Sequence, residues 1–209
     1  MKSTKSEIYN QLKSKIIMQH LKAGEILNEK QLMDQYNIGR TPLREIFIEL
    51  VREGLIKRFP RSGTIVAPMD FNQLKEATEI RIPLEGVVGE LVVDRIKNEQ
   101  LQEIRILIKI IEKIEKTGSD ADIIQRDSQL HNLLYTATEN RKLFNIIHEL
   151  QGISSKFWFA LTFTREEYID QIKQWEHIFE AIKNKDKKKT KELLQSHVQK
   201  FMNQIKDKF

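Results

Sequence analysis

The stretch Gly39-Arg40-Thr41-Pro42-Leu43-Arg44-Glu45, continuing through Ile46-Phe47-Ile48-Glu49-Leu50-Val51-Arg52-Glu53-Gly54, decides how the rest of the chain is read. Its punctuation is that of a short helix, with Thr41 expected as the N-cap, Pro42 at the first helical position and Gly54 as the C-terminal stop. Leu43, Ile46, Phe47, Leu50 and Val51 recur at three- and four-residue spacing, so one face is buried. Arg40, Thr41 and Arg44 gather at the N-terminal end of the opposite face. Arginine can make bidentate contacts with guanine, and a helix N-terminus favours phosphate, so such a helix suits a DNA major groove. A solvated charged face would carry the same residues. The neighbouring sequence has to choose between the two.

Upstream, Tyr36-Asn37-Ile38-Gly39 makes a tight turn, and Asn28 caps a helix over 29–35 with Leu32 and Met33 inward. Two short helices joined by such a turn, the second with basic residues at its start, form a helix-turn-helix. An earlier helix is expected over 6–19, with Ile8, Leu12, Lys15, Ile16 and Gln19 on its inner side. Downstream, Leu55-Ile56-Lys57-Arg58-Phe59 and Thr64-Ile65-Val66-Ala67 are β-prone runs separated by Pro60-Arg61-Ser62-Gly63. This predicts a hairpin with a basic tip, a wing whose Arg58 and Arg61 would lie near DNA backbone. Charge agrees with this reading. Residues 1–68 carry 12 Lys/Arg against 7 Asp/Glu, whereas 69–209 carry 23 of each, so the net +5 lies wholly in the first third. A basic head on a neutral body points to a polyanion partner for the head.

The stretch from Ile8 to Met69 resembles the winged-helix domain of the GntR family of bacterial transcription regulators. The resemblance is carried by Ala23-Gly24-Glu25, Arg40-Thr41-Pro42-Leu43-Arg44-Glu45, Leu50, Glu53-Gly54-Leu55-Ile56 and Gly63-Thr64-Ile65-Val66. It departs from the family at Ala23, where many members have proline. The resemblance implies DNA contacts from Lys30, Arg40, Thr41, Arg44 and Gly63. Lys30 stands where arginine is common and suits phosphate better than a base edge.

After the linker Ala67-Pro68-Met69-Asp70 only helical periodicity is found, over about 72–97, 99–117, 121–138, 140–150, 152–163, 165–184 and 186–208. Pro83, Gly86 and Gly89 are expected to bend or split the first of these. The fold class is therefore mainly α. It comprises a winged helix-turn-helix of three helices and a β-hairpin over 1–68, then an all-α bundle of six or seven helices over 69–209. The body resembles the FCD domain of FadR-like GntR regulators. The carriers are Glu79-Ile80-Arg81 with Leu84-Glu85, Asp127-Ser128-Gln129-Leu130-His131, Asn140, Glu180-Ala181-Ile182, Asp186 and His197. The resemblance implies a homodimer and a small-molecule pocket within the bundle.

Asp127 and His131 lie one turn apart on a face continued by the apolar Ile123, Ile124 and Leu134, and His197 lies between Leu193 and Phe201 on another apolar stripe. Buried imidazole and carboxylate groups need partners. The three suit a divalent metal such as Zn, Ni or Mn, and they equally suit a structural hydrogen-bond cluster. Many FCD members place another histidine just before the Glu-Ala-Ile segment. Here that position is Trp175, which leaves two alternatives: three ligands completed by water or an effector, or a metal-free pocket filled by the indole. His177 lies about 200° around the helix from Trp175 and should point elsewhere. Arg81 is a candidate partner for a carboxylate effector, or else for Glu85 at i+4.

The chain has no cysteine, which excludes disulfides and thiol chemistry. The N-terminus opens on an amphipathic helix rather than an apolar leader, and apolar runs such as 104–111 are broken by charges, so a cytoplasmic location away from membranes is expected. These readings converge on a non-enzymatic, effector-controlled regulator that reads an inverted repeat in double-stranded DNA, and the resemblance implies a repressor, since most such regulators repress. Two alternatives are a metal-dependent enzyme tethered by its head and an architectural protein that binds DNA without sequence preference. A nucleophile–base pair is missing against the first, and operator preference separates the second.

Overall fold

The computed structural model describes residues 4–60, 63–117, 119–161 and 163–208. The chain divides into two compact units, 1–71 and 72–209. In the first, helices α1 (Lys5–Ile17), α2 (Glu29–Tyr36) and α3 (Arg40–Arg52) precede an antiparallel hairpin of β1 (Ile56–Phe59) and β2 (Gly63–Val66). The hairpin register runs from Ile56↔Val66 at its root to Phe59↔Gly63 at its tip. Residues 24–27 lie along the other edge of β2, joined by Gly24 N–H to Val66 O, Val66 N–H to Glu25 O and Leu27 N–H to Thr64 O. The wing is thus held at its root from both sides. Ile8, Leu12 and Ile16 of α1, Leu32 and Tyr36 of α2, and Leu43, Ile46, Phe47 and Leu50 of α3 close one core with Ile56 and Val66.

Two expectations for this unit are corrected. The α3 N-cap is Gly39, which supplies no side-chain bond, and Thr41 sits inside the first turn rather than capping it. Pro42 is tolerated there because the first N–H groups of a helix have no intrahelical partner anyway. Gly54, at φ +66°, does end the helix in the left-handed region. On α1 the buried polar residue is Lys13, not Lys15 or Gln19. Its ammonium reaches Glu53 at 2.9 Å, and Tyr9 donates to the same carboxylate, so the charge is buried in company.

The second unit contains α4 (Phe71–Arg95), α5 (Asn98–Thr117), α6 (Asp120–Ala137), α7 (Arg141–Ala160), α8 (Arg165–Lys183) and α9 (Lys187–Lys206). In it α8 packs along α9, α6 lies against both α5 and α7, and α8 packs on α5 and α6. The first helix is one unbroken element with Pro83 inside it, so it is not split. Gly86 and Gly89 serve a different purpose. A Cβ on Gly89 would stand 2.9 Å from the Lys191 backbone, and one on Gly86 would stand 2.8 Å from the Gln195 side chain. The two glycines let α9 press onto α4. A second correction concerns 140–150 and 152–163, which form the single helix α7. One interior glycine costs only about 1 kcal/mol against alanine. Burial of Ile147, Phe157 and Trp158 on either side of Gly152 outweighs it.

Candidate functional site

In the first unit, Lys30, Arg40, Thr41 and Arg44 are all exposed, and Gly63 begins β2 with φ +102°. Among the described residues none of Lys30, Arg40 and Arg44 is held in an ion pair. Arg58 differs. Its guanidinium lies 3.2 Å from Glu29 and over the Phe47 ring, so the wing's basic strand is partly engaged within the protein. Arg61 lies outside the described residues. The carboxylates of α3 are drawn aside: Lys5 meets Glu45 at 2.9 Å and Glu49 at 3.7 Å. The Arg40–Arg44 end of α3 is left with unopposed positive charge beside a helix N-terminus, an arrangement suited to phosphate and base edges.

In the second unit, Arg81 of α4, Asp127 and His131 of α6, Trp175 of α8 and His197 of α9 are all buried and come together. Arg81 Nε donates to Glu85 Oε1 at 3.0 Å. Its Nη2 lies 3.1 Å from the Tyr135 hydroxyl and 3.3 Å from His131 Nε2. A guanidinium can only donate, so His131 Nε2 accepts and its proton sits on Nδ1, 3.2 Å from the Tyr135 oxygen. Tyr135 in turn donates to Glu85 at 2.6 Å. Burial first, then the charges of Arg81 and His197, push the His131 pKa well below its ordinary value, so the imidazole is neutral near pH 7. Burial likewise raises Tyr135 well above its usual range, and it remains a phenol. Burial opposes the charge on Arg81, but the Tyr135 and Glu85 oxygens outweigh it.

Asp127, His131 and His197 each offer a ligand atom within 4.8 Å of the others. Nε2 of each imidazole lies 3.7 Å from a different Asp127 oxygen. Around an ion bound at about 2.0–2.1 Å, tetrahedral ligand atoms stand about 3.4 Å apart, so atoms that now lie within 4.8 Å of one another would have to draw together around it. His197 Nδ1 is buried without a hydrogen-bond partner among the described residues, as expected of a ring not yet committed to one. The donor set therefore fits a three-ligand divalent site. Trp175 does not enter it as a ligand. Its indole N–H donates to Asp127 Oδ1 at 2.7 Å, and its ring packs edge-on against both imidazoles, at 4.7 Å from His131 and 5.0 Å from His197. His177 is exposed and takes no part. The free space beside the cluster is about 20 Å³, room for one water or ion.

Its wall also holds Gln151, Ser154, Ser155, Trp158 and Gln171, none of which was singled out as a pocket residue from sequence. The first four form a stripe at i, i+3, i+4 and i+7 on α7. Placing a break after residue 150 hid that periodicity. Tyr135 was visible one turn beyond His131, and a buried tyrosine needs a partner for its hydroxyl.

Two family patterns match the chain: bacterial regulatory proteins, gntR family, over residues 4–66, and the FCD domain over 76–200. This chain belongs to the GntR family of transcription regulators, in the branch that carries an FCD domain. The HTH-type transcriptional regulator YdhC of Bacillus subtilis (strain 168) is 33% identical over 196 residues, covering 91% of this chain and 86% of the relative. The HTH-type transcriptional repressor RspR of Escherichia coli (strain K12) is 24% identical, covering 96% and 88%. Among solved structures, E. coli McbR/YncC shares the fold with a TM-score of 0.87 at 23% identity, over 99% of both chains. The regulator is thus a DNA-binding protein and not an enzyme. Among the described residues, no helix is long and apolar enough to cross a membrane.

Proposed function

We propose that this GntR regulator is a cytoplasmic homodimer that represses transcription from an inverted-repeat operator and is controlled by a small carboxylate in its second unit. Residues 1–68 bind double-stranded DNA: Arg40 and Arg44 read base edges, while Lys30, Thr41, Arg61 and Gly63 fix register on the backbone. A two-fold dimer presents two equivalent α3 helices, which suits an inverted repeat. Repression is favoured by the likeness to RspR. A reducing compartment is favoured by the lack of cysteine.

Residues 69–209 hold the effector, and the observation that carries this reading is the 3.3 Å contact between Arg81 Nη2 and His131 Nε2. Asp127, His131 and His197 would hold a divalent ion such as Zn, Ni or Mn, which would offer a Lewis-acidic point for a carboxylate oxygen. The His131 lone pair that such an ion needs is the one Arg81 now occupies. Arg81 therefore has two alternative partners: the imidazole in the free protein, or the effector's carboxylate when His131 is engaged. Tyr135, which itself donates to Glu85, accepts the His131 Nδ1 proton and keeps the ring oriented. Trp175 keeps Asp127 Oδ1 hydrogen-bonded and leaves Oδ2 for a ligand. Because α4 follows directly on the segment joining the two units, a change of partner at Arg81 acts on the helix nearest in sequence to the head. A ligand shifts DNA affinity only through such differential contacts.

The test combines native mass spectrometry with DNA-binding titrations on a duplex selected from a random pool, with and without Zn, Ni or Mn and small carboxylates. Stoichiometric metal that is lost in His197→Ala, together with a carboxylate-dependent change in duplex affinity that is lost in Arg81→Met, is the expected result. A wild-type protein that takes up no metal would remove the ion from this reading. Retention of metal in His197→Ala would remove His197. A duplex affinity indifferent to every carboxylate tried would remove the effector class.

A further inference from the structure

The exposed face of α3 is not uniformly polar. Ile48 is 57% exposed and Val51 is 40% exposed, on a helix whose buried face already holds Leu43, Ile46, Phe47 and Leu50. At about 100° per residue, Ile48 projects roughly 40° from Arg44 and roughly 20° from Thr41, with Arg40 on the far side of Arg44. Ile48 therefore lies inside the sector that Arg40, Thr41 and Arg44 span, between Arg44 and Thr41 and one turn further along the helix than Arg44. The carboxylate nearest that sector, Glu45, is drawn away to Lys5 at 2.9 Å. What remains is a positive rim around an apolar, β-branched side chain.

We infer that Ile48 is a specificity-determining residue that reads the 5-methyl group of thymine in the major groove. The inference rests on the reading of α3 as the DNA-contacting helix, and it names what that helix recognises besides guanine. The occupant is argued from the rim. Arg40, Arg44 and the helix N-terminus select a polyanion, and the apolar group a duplex offers on its major-groove floor is the thymine methyl. Arg44 and Ile48, one turn apart, would read neighbouring base pairs, so the preferred half-site pairs a guanine with an adjacent thymine.

The experiment uses the full chain. Duplexes are selected from a random pool with the wild type and with Ile48→Ala. Each thymine of the wild-type consensus is then replaced singly by uracil, which removes only the methyl. One thymine position per half-site should weaken wild-type binding by about fourfold on loss of its methyl. The same replacement should leave Ile48→Ala unchanged, and the Ile48→Ala pool should lose its thymine preference at that position alone. Equal uracil effects in both proteins, or an identical thymine preference in both pools, would overturn the assignment. So would an Ile48→Ala protein that differs from wild type in assembly mass without DNA, because Ile48 would then belong to a protein contact. Failure of the wild type to enrich any sequence would overturn the DNA reading itself, and this inference with it. Circular dichroism and retained preference at the guanine position show that the variant is folded.

Discussion

The charged groups of α3 and those around the cavity are opposites in their physical situation. Arg40 and Arg44 are exposed and have no ion-pair partner among the described residues, whereas Arg81, 3% exposed, is tied to Glu85, Tyr135 and His131 at once. A cation in water is ready for a partner but is screened by salt. A cation in the interior is held in place and must give up one partner before it takes another. The head therefore has a surface prepared for a polyanion, and the body has a closed network in which a new partner can be taken only in exchange for an old one.

Removing one member of the buried network should break that contrast most visibly. Glu85→Ala would strand Arg81 and cost about 3–5 kcal/mol of stability, measured by urea denaturation. A loss under about 1 kcal/mol would mean that water reaches these groups, and the cavity would then resemble α3. Trp175→Phe is next. It removes the indole N–H from Asp127 and should cost about 1–3 kcal/mol, read as a lowered Tm, because the acceptor left behind is a buried carboxyl oxygen with little access to water. On the surface side, Arg44→Ala should leave Tm unchanged and weaken binding to a selected operator by about 1–3 kcal/mol, with relaxed preference at one base pair in electrophoretic shift titrations. Equal loss on random duplex would show a phosphate contact only. The smallest change is expected from Arg58→Ala, whose pair with Glu29 is exposed and worth at most about 1 kcal/mol. Its effect on Tm should vanish as salt is raised, and an effect that persists in salt would place Arg58 with the buried group.

How much could be read in advance follows the same division. The α3 face was legible because surface chemistry depends on local spacing, which the sequence from Arg40 to Gly54 displays directly. Its cap was misread, since Thr41 is a good capping residue and only the backbone shows that Gly39 takes that position. Asp127, His131 and His197 stood out as polar groups on apolar stripes. The partners that give them meaning did not. Gln151, Ser154 and Ser155 come from a helix that had been divided at residue 151, and the Trp175–Asp127 bond spans 48 residues, beyond any periodicity. Arg81 with Glu85 was foreseen as a pair at i+4, but the link to His131 spans 50 residues.

The glycines of α4 have a consequence for how the body can move. With Lys191 seated on Gly89 and the Gln195 side chain on Gly86, sliding one helix along the other would bring a neighbouring Cβ of α4 against the Lys191 backbone. Arg81 stands five residues before Gly86 on one bar, and His197 stands two residues after Gln195 on the other. Their spacing is thereby indexed by two absent side chains together with the bonds that Lys191 makes to Glu90 and Gln195 makes to the Ile82 carbonyl. A rearrangement that frees Arg81 from His131 would then displace α6 and leave α4 and α9 travelling as one rigid part.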